Sequence, residues 1–512
     1  MRSLLRSGVP AYIALTVAGA LVTASCSSPA STAPASASPA SPDTAPDNSP
    51  PSPEASARQA VQRLTLTYDK PVVVGTVVAA SATGLPAGKT AELRWATVTG
   101  GWVIEDYYHF RGKKYSDTSS SLGSFPVDKD GRLEATFTIP EDYGGVHDVM
   151  AIVDGRTVAQ NGVEVTQSFE LTPLSGPVGT PVELRVKGLG WRTMESTWAV
   201  NWDNNAIGWV SAAGTRGSAV ARFRAAGPPG DHAIKVYTGY QGQPYLNYEQ
   251  SPVAHLPRPQ FTFRTTPGRA SMAAAAAEPY QKQPVPAVEI TVANAAIGLA
   301  PTQGPVGSRA RLKGTGFPGG ASLDLVWETA VGNRVGGDGF SPEENILARV
   351  TVGGDGVLDV PVSIPDDVGG LHGLVLRDGD RMLARTHFVI ETSIVSMTPT
   401  SGPAGTPVAI HLKGVGWTEY DNIYVATYDN AYMGYACGFN SQGDVVINFT
   451  AAGPPGVHLI DLYPGIYQGP PTEPQLLYRT PQLTYADDHP GNKIPALRFA
   501  FEVTPTAPVS TR

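Results

Sequence analysis

The chain predicts an all-β protein, built as four tandem β-sandwich domains in an A-B-A-B arrangement behind a disordered N-terminal tether. The first observation is a duplication. Ser175-Gly176-Pro177-Val178-Gly179-Thr180-Pro181 returns as Ser401-Gly402-Pro403-Ala404-Gly405-Thr406-Pro407, and Ala225-Ala226-Gly227-Pro228-Pro229-Gly230 returns as Ala451-Ala452-Gly453-Pro454-Pro455-Gly456, both 226 positions on. A constant offset over so many residues marks repeated architecture. The second is composition: 56 Gly and 46 Pro among 512 residues require frequent turns and short elements. The third is period-two alternation, as in Val182-Glu183-Leu184-Arg185-Val186, which places alternate side chains on one buried face.

Residues 1–25 read as a signal peptide, with Arg2 and Arg6 ahead of an apolar run from Ala11 to Ala24 that is too short to span a bilayer. The segment Leu21-Val22-Thr23-Ala24-Ser25-Cys26 resembles the lipobox of bacterial lipoproteins. That resemblance implies acylation of Cys26 and a membrane partner reached through an N-terminal lipid anchor. Thr23 stands where the lipobox favours Leu, and Val22-Thr23-Ala24 also fits cleavage by ordinary signal peptidase, whose product is secreted. With Cys26 acylated, Cys437 is the remaining cysteine and no disulfide framework exists; Ser211 occupies its place in the sister copy. Residues 26–58 are almost wholly Ser, Ala, Pro and Thr, eight of them proline, and cannot form a core. As polyproline II they would reach on the order of 100 Å.

The folded part divides into A1 (61–167), B1 (168–266), a linker (267–286), A2 (287–391) and B2 (392–506). The B copies open with the Ser-Gly-Pro turn, a strand, and Lys187-Gly188-Leu189-Gly190-Trp191 or Lys413-Gly414-Val415-Gly416-Trp417; A2 has Gly304-Pro305-Val306-Gly307-Ser308 and Lys313-Gly314-Thr315-Gly316-Phe317. These residues resemble the opening of IPT/TIG domains, which implies that each unit is an immunoglobulin-like sandwich. In A1 the motif has eroded to Val74-Gly75-Thr76 and Gly84-Leu85-Pro86.

Four of the nine histidines, His147, His232, His372 and His458, occupy one slot two residues after a glycine, each at the start of an apolar strand. A ring at the margin of the core there is expected to tie a loop down through a main-chain hydrogen bond. One histidine per domain does not make a metal site, and none is expected. The linker contains Ala273 to Ala277 among prolines and is expected to hold one helical turn, leaving the two halves free to move. The tight A-to-B junctions near Val165 and Ile390 favour a stiff pair within each half.

No nucleophile motif, phosphate loop or histidine-carboxylate cluster occurs in the sequence, so no catalytic residue and no cofactor are expected. Asp128-Lys129-Asp130-Gly131 reads as a β-turn, because its counterpart Gly353-Gly354-Asp355-Gly356 loses a carboxylate. The net charge of −8 and the lack of a basic cluster argue against nucleic acid.

The candidate ligand-binding residues lie on the B-domain hairpins: Trp202, Asp203, Asn204 and Trp209, with Tyr428, Asp429, Asn430 and Tyr435 at the matching positions. Such rings either build the sandwich core or face solvent to stack on a sugar or pack on a partner. Nine of the 20 tyrosines fall between Tyr420 and Tyr485, and Tyr463, Tyr467, Tyr478 and Tyr485 sit among prolines and glycines, which suggests recognition loops. Two extensions, Pro244 to Pro259 and Pro470 to Pro495, exceed a minimal sandwich. The sequence therefore points to a non-catalytic cell-surface lipoprotein that binds a glycan or a surface protein. The alternatives are a structural spacer or stalk, or an accessory subunit of a separate enzyme.

Overall fold

A computed structural model describes residues 61–238, 243–333, 339–440, 442–466 and 479–506. The signal peptide, Cys26, the tether, Tyr467 and Tyr478 lie outside the described residues. The fold is all-β: four immunoglobulin-like sandwiches, each pairing a three-stranded sheet with one of five or six strands.

In A1 the larger sheet runs Gln62–Arg63, Arg156–Val165, Gly145–Val153, Thr90–Glu105, His109–Pro126, and faces Thr65–Thr67, Val77–Ala82 and Leu133–Thr138. In B1 the order is Ser175–Val178, Gln260–Arg269, Gly230–Thr238, Trp198–Trp202, Asn205–Val210, opposite Ala219–Arg224, Pro181–Lys187 and Ser168–Thr172. A2 and B2 repeat these plans, with Phe340–Thr351 and Ala431–Cys437 as the corresponding edge strands. The alternation resolves as the pleat requires: Val182, Leu184 and Val186 enter the B1 core, while Glu183 and Arg185 point away from it.

The recurring histidine has one job in all four units. Its Nε2 lies 2.8–2.9 Å from the carbonyl four residues earlier, that of Tyr143, Pro228, Val368 or Pro454. Each ring also stacks on an aromatic of the neighbouring strand: Trp95, Trp202, Trp327 or Tyr428. The histidine thus pins the loop that leads into its own strand. This arrangement explains the Ala-Ala-Gly-Pro-Pro-Gly motif, because a Cβ on Gly227 or Gly453 would lie 2.7 or 2.3 Å from the ring's Cε1.

Two expectations need correction. The alanines of 267–286 form a strand, Ala275–Ala277, that pairs antiparallel with Leu497–Phe499 on the free edge of the B2 sheet. Small residues there pack flat against a neighbouring chain, and the sheet supplies hydrogen bonds that an isolated helical turn would lack. The two halves are also not separate bodies. The hydrophobic core of B1 takes in Tyr463, Leu483, Tyr485 and Ala496 from B2.

The extension of B2 makes that union. Trp209 N–H donates to the Pro481 carbonyl at 2.8 Å and Leu483 N–H donates to the Trp209 carbonyl at 2.8 Å, so residues 481–483 run along the edge of the B1 sheet. Buried Asp488 accepts from Ser211 Oγ (2.6 Å), Ala213 N–H (2.8 Å) and Gly214 N–H (2.6 Å). A1 adds a second brace through its long hairpin, Thr90–Glu105 and His109–Pro126. At the tip Phe110 N–H donates to Glu419 of B2 (2.7 Å), Tyr420 Oη donates to the Tyr107 carbonyl (2.6 Å), and Leu371 N–H of A2 donates to Tyr107 Oη (3.1 Å).

Candidate functional site

A cleft of about 960 Å³ lies where the two B domains meet. Both copies of the duplicated loop contribute: Gly227-Pro228-Pro229 from B1 faces Gly453-Pro454-Pro455-Gly456 from B2. Val178, Ala452 and Val457 extend the apolar lining, and Tyr428, Asp429, Arg269 and Glu502 bring the polar groups. Prolines and pinned glycine loops lose little freedom when a ligand arrives, so this surface is preorganised.

Each polar group in the cleft has a defined local cause. Asp429 and Asn430 are the central pair of a tight hairpin turn with φ of 47° and 62°, matched by Asp203 and Asn204 at 48° and 67°. Asp and Asn tolerate that left-handed conformation, which fits the right-handed twist of the flanking strands. The Asp429 carboxylate bonds His458 Nδ1 at 2.5 Å and accepts from Leu459 N–H at 2.9 Å. This bond raises the His458 pKa above the ordinary imidazole range. With Nε2 against the Pro454 carbonyl, both nitrogens are engaged, so this ring has no free position from which to act as a general base. Tyr428 Oη donates to the Ala452 carbonyl (2.7 Å) and accepts from Ala452 N–H (3.1 Å), holding the phenol ring in place. Arg269 donates to Glu502 across one wall at 3.1 Å.

The eight candidate residues fall into four groups. Tyr428 and Asp429 line the cleft, and Asn430 is buried beside it, donating to the Arg224 carbonyl of B1 at 2.8 Å. Trp202 takes the core role, 2% exposed among Phe223, His232 and Phe263, whereas Trp209 is fully buried outside that core, clustered with Phe110 of A1 and Ile466 of B2 and with Nε1 donating to the Thr480 carbonyl. Neither indole presents a face to solvent. Asp203 and Asn204 are exposed turn residues of B1 that do not line the cleft, and Asp203 bonds His232 at 2.5 Å. Tyr435 is 44% exposed on the B2 edge strand, with Arg479 over its ring.

The loop tyrosines are corrected similarly. Tyr463 is on the strand Gly456–Gly465 and Tyr485 opens the helical turn Tyr485–Asp488; both are 1% exposed in the seam between B1 and B2. Their large rings close a domain interface and offer no recognition surface. Sequence reasoning missed Arg224, Asp461, Asp488 and the cleft itself. One signal was present: Asp461 breaks the apolar run Leu459-Ile460-Asp461-Leu462, and its sister residue is Lys235.

Neither a protein-family model nor a curated protein sequence matches the chain. Among solved structures it is similar to Salmonella alpha-2-macroglobulin reacted with methylamine, at 10% identity and a TM-score of 0.16, covering 87% of this chain but only 31% of that one. It is similar to FdeC, an Escherichia coli adhesin, at 16% identity and a TM-score of 0.16, covering 64% of this chain and 96% of that one. It is also similar to invasin, a bacterial integrin-binding protein, at 10% identity and a TM-score of 0.17, covering 86% and 79% respectively. The pairing of its own sheets into four sandwiches is what marks this chain as immunoglobulin-like.

Proposed function

We propose that the protein is a non-catalytic binding module, held at the cell surface by lipid on Cys26, that takes a glycan in the cleft between its B domains. The carrying observation is that two copies of one Gly-Pro-Pro loop face each other across about 960 Å³. The apolar walls and the Tyr428 ring suit the apolar face of a sugar, and the carboxylates of Asp429 and Glu502 suit its hydroxyls. The committed hydrogen bonds of His458 and Tyr428 favour recognition over chemistry.

Glycan arrays and cell-wall pulldowns with the full chain test this. Val457→Trp, which fills the cleft from a half-buried position on its wall, is expected to abolish retention while preserving the fold by circular dichroism. Equal retention of the variant would reject the cleft. The spacer reading draws on a different observation, the bracing of A1 against B2 and A2. It predicts that no glycan is retained by either protein.

A further inference from the structure

The larger sheets of the two B domains end on corresponding strands, Asn205–Val210 in B1 and Ala431–Cys437 in B2. Their hairpins share a register, Ala199 opposite Trp209 and Val425 opposite Tyr435, and share an irregularity at Val200/Asn201 and Ala426/Thr427. Only the outer sides differ. In B1 that side is occupied: Pro481 and Leu483 grip the main chain of Trp209 in a parallel pairing. The equivalent main-chain groups of Tyr435, turned outward by the same register, have no hydrogen-bond partner among the described residues.

The glycine shared by both strands reports the same contrast. The backbone there demands glycine in both, with φ of 157° at Gly208 and 153° at Gly434. A Cβ at Gly208 would lie 2.4 Å from the Pro481 carbonyl, whereas at Gly434 nothing lies within 4 Å. The B2 edge is also unusually apolar. Tyr432, Met433, Tyr435 and Phe439 are 44%, 37%, 44% and 47% exposed. The strand Ala431–Cys437 carries no charge and no proline, the features by which natural edges discourage pairing.

From this contrast we infer that the B2 edge strand, at the outward main-chain groups of Tyr435, receives an extended segment of a partner protein as an added β-strand. The segment pairs parallel, its carbonyl and N–H two residues apart engaging Tyr435 as Pro481 and Leu483 engage Trp209. Its side chains are uncharged and apolar enough to rest on Tyr432, Met433 and Phe439. Main-chain bonds give such a contact its affinity, and the exposed rings give it selectivity. A second copy of the same edge does not fit the precedent, because a twofold axis pairs like edges antiparallel. This surface is separate from the cleft and does not rest on the glycan reading.

The test uses the full chain and a synthetic peptide with the sequence of residues 480–485, Thr-Pro-Gln-Leu-Thr-Tyr, blocked at both ends. Amide hydrogen exchange is followed at Tyr435. Saturating peptide is expected to slow that exchange at least tenfold, and an analogue N-methylated at its leucine, which cannot donate to the Tyr435 carbonyl, is expected to leave it unchanged. The inference is overturned if the peptide has no effect, if the methylated analogue acts equally, or if Tyr435 exchanges slowly in the free protein. Sedimentation showing a dimer that protects Tyr435 would also overturn it, in favour of self-pairing. Val457→Trp leaves this edge intact, so glycan binding and strand addition fail independently.

Discussion

Arg224 of B1 closes on Asp461 of B2, and both side chains are buried at the seam between the domains. Arg224 Nε lies 3.3 Å from Asp461 Oδ2, and its Nη2 reaches Oδ1 as well as the Phe499 carbonyl at 2.7 Å. Arg498 shares the same carboxylate at 3.3 Å and turns its other face to Glu278 at 2.7 Å. The two copies have diverged where they meet, since Lys235 and Thr450 stand at the positions that match Asp461 and Arg224.

Removing Asp461 leaves two buried guanidinium groups short of a partner, so Asp461→Ala is expected to cost about 3–5 kcal/mol in denaturant unfolding. Replacing Arg224 by Met and Asp461 by Leu together is expected to recover part of that loss, because it removes one of the two stranded charges while Arg498 keeps Glu278 as its partner. A loss under about 1 kcal/mol for the single variant would mean that the seam does not depend on this cluster.

The paired glycines allow an internal comparison. Gly208→Ala and Gly434→Ala meet the same backbone strain, but only the first also collides with the Pro481 carbonyl. The first is expected to be less stable than the second by about 1–3 kcal/mol, with faster amide exchange at Trp209 and Leu483. Equal losses would show that residues 481–483 do not hold this edge in solution.

The histidine slot predicts opposite pH limbs for His458 and for the A-domain residues His147 and His372. The bond to Asp429 raises the folded pKa of His458, so its stabilising effect is complete below the unfolded value of about 6.5 and declines as pH climbs through the raised value. Burial lowers the folded pKa of His147 and His372, so their domains weaken as pH falls below about 6.5. Unfolding free energy measured from pH 4 to 9 should fall at both ends. Asp429→Asn keeps the turn and is expected to flatten the alkaline limb alone; an unchanged limb would exclude the His458 pair as its source.

Anchoring through Cys26 predicts that Cys26→Ser moves the protein from the membrane fraction to the medium, and that mass spectrometry of the wild-type N-terminus finds acyl chains on Cys26. An unmodified N-terminus at Ser25 would identify the product as secreted.

Local patterning carried the fold far. The alternation of Val182, Leu184 and Val186 specifies a half-buried strand, and the histidine slot indicates a pinned loop, because both are decided within a few residues. What depends on remote partners was not legible. Trp202 has the same sequence surroundings whether it faces solvent or the core, and Phe223 and Phe263 decide the matter across the sandwich. The alanines at 275–277 carry no strand signal of their own, since the edge formed by residues 497–499 imposes the conformation. The cleft is hidden for the same reason: its two walls are 226 residues apart in the chain.

Leu483 and Tyr485, which complete the interior of B1, lie more than two hundred residues beyond that domain's last strand, Gln260–Arg269. B1 therefore cannot finish packing as it leaves the ribosome. It must wait, partly open, until the far end of the polypeptide arrives. Maturation is then tied to completion: a chain truncated within B2 leaves an apolar gap in B1, which marks the unfinished product for proteolysis.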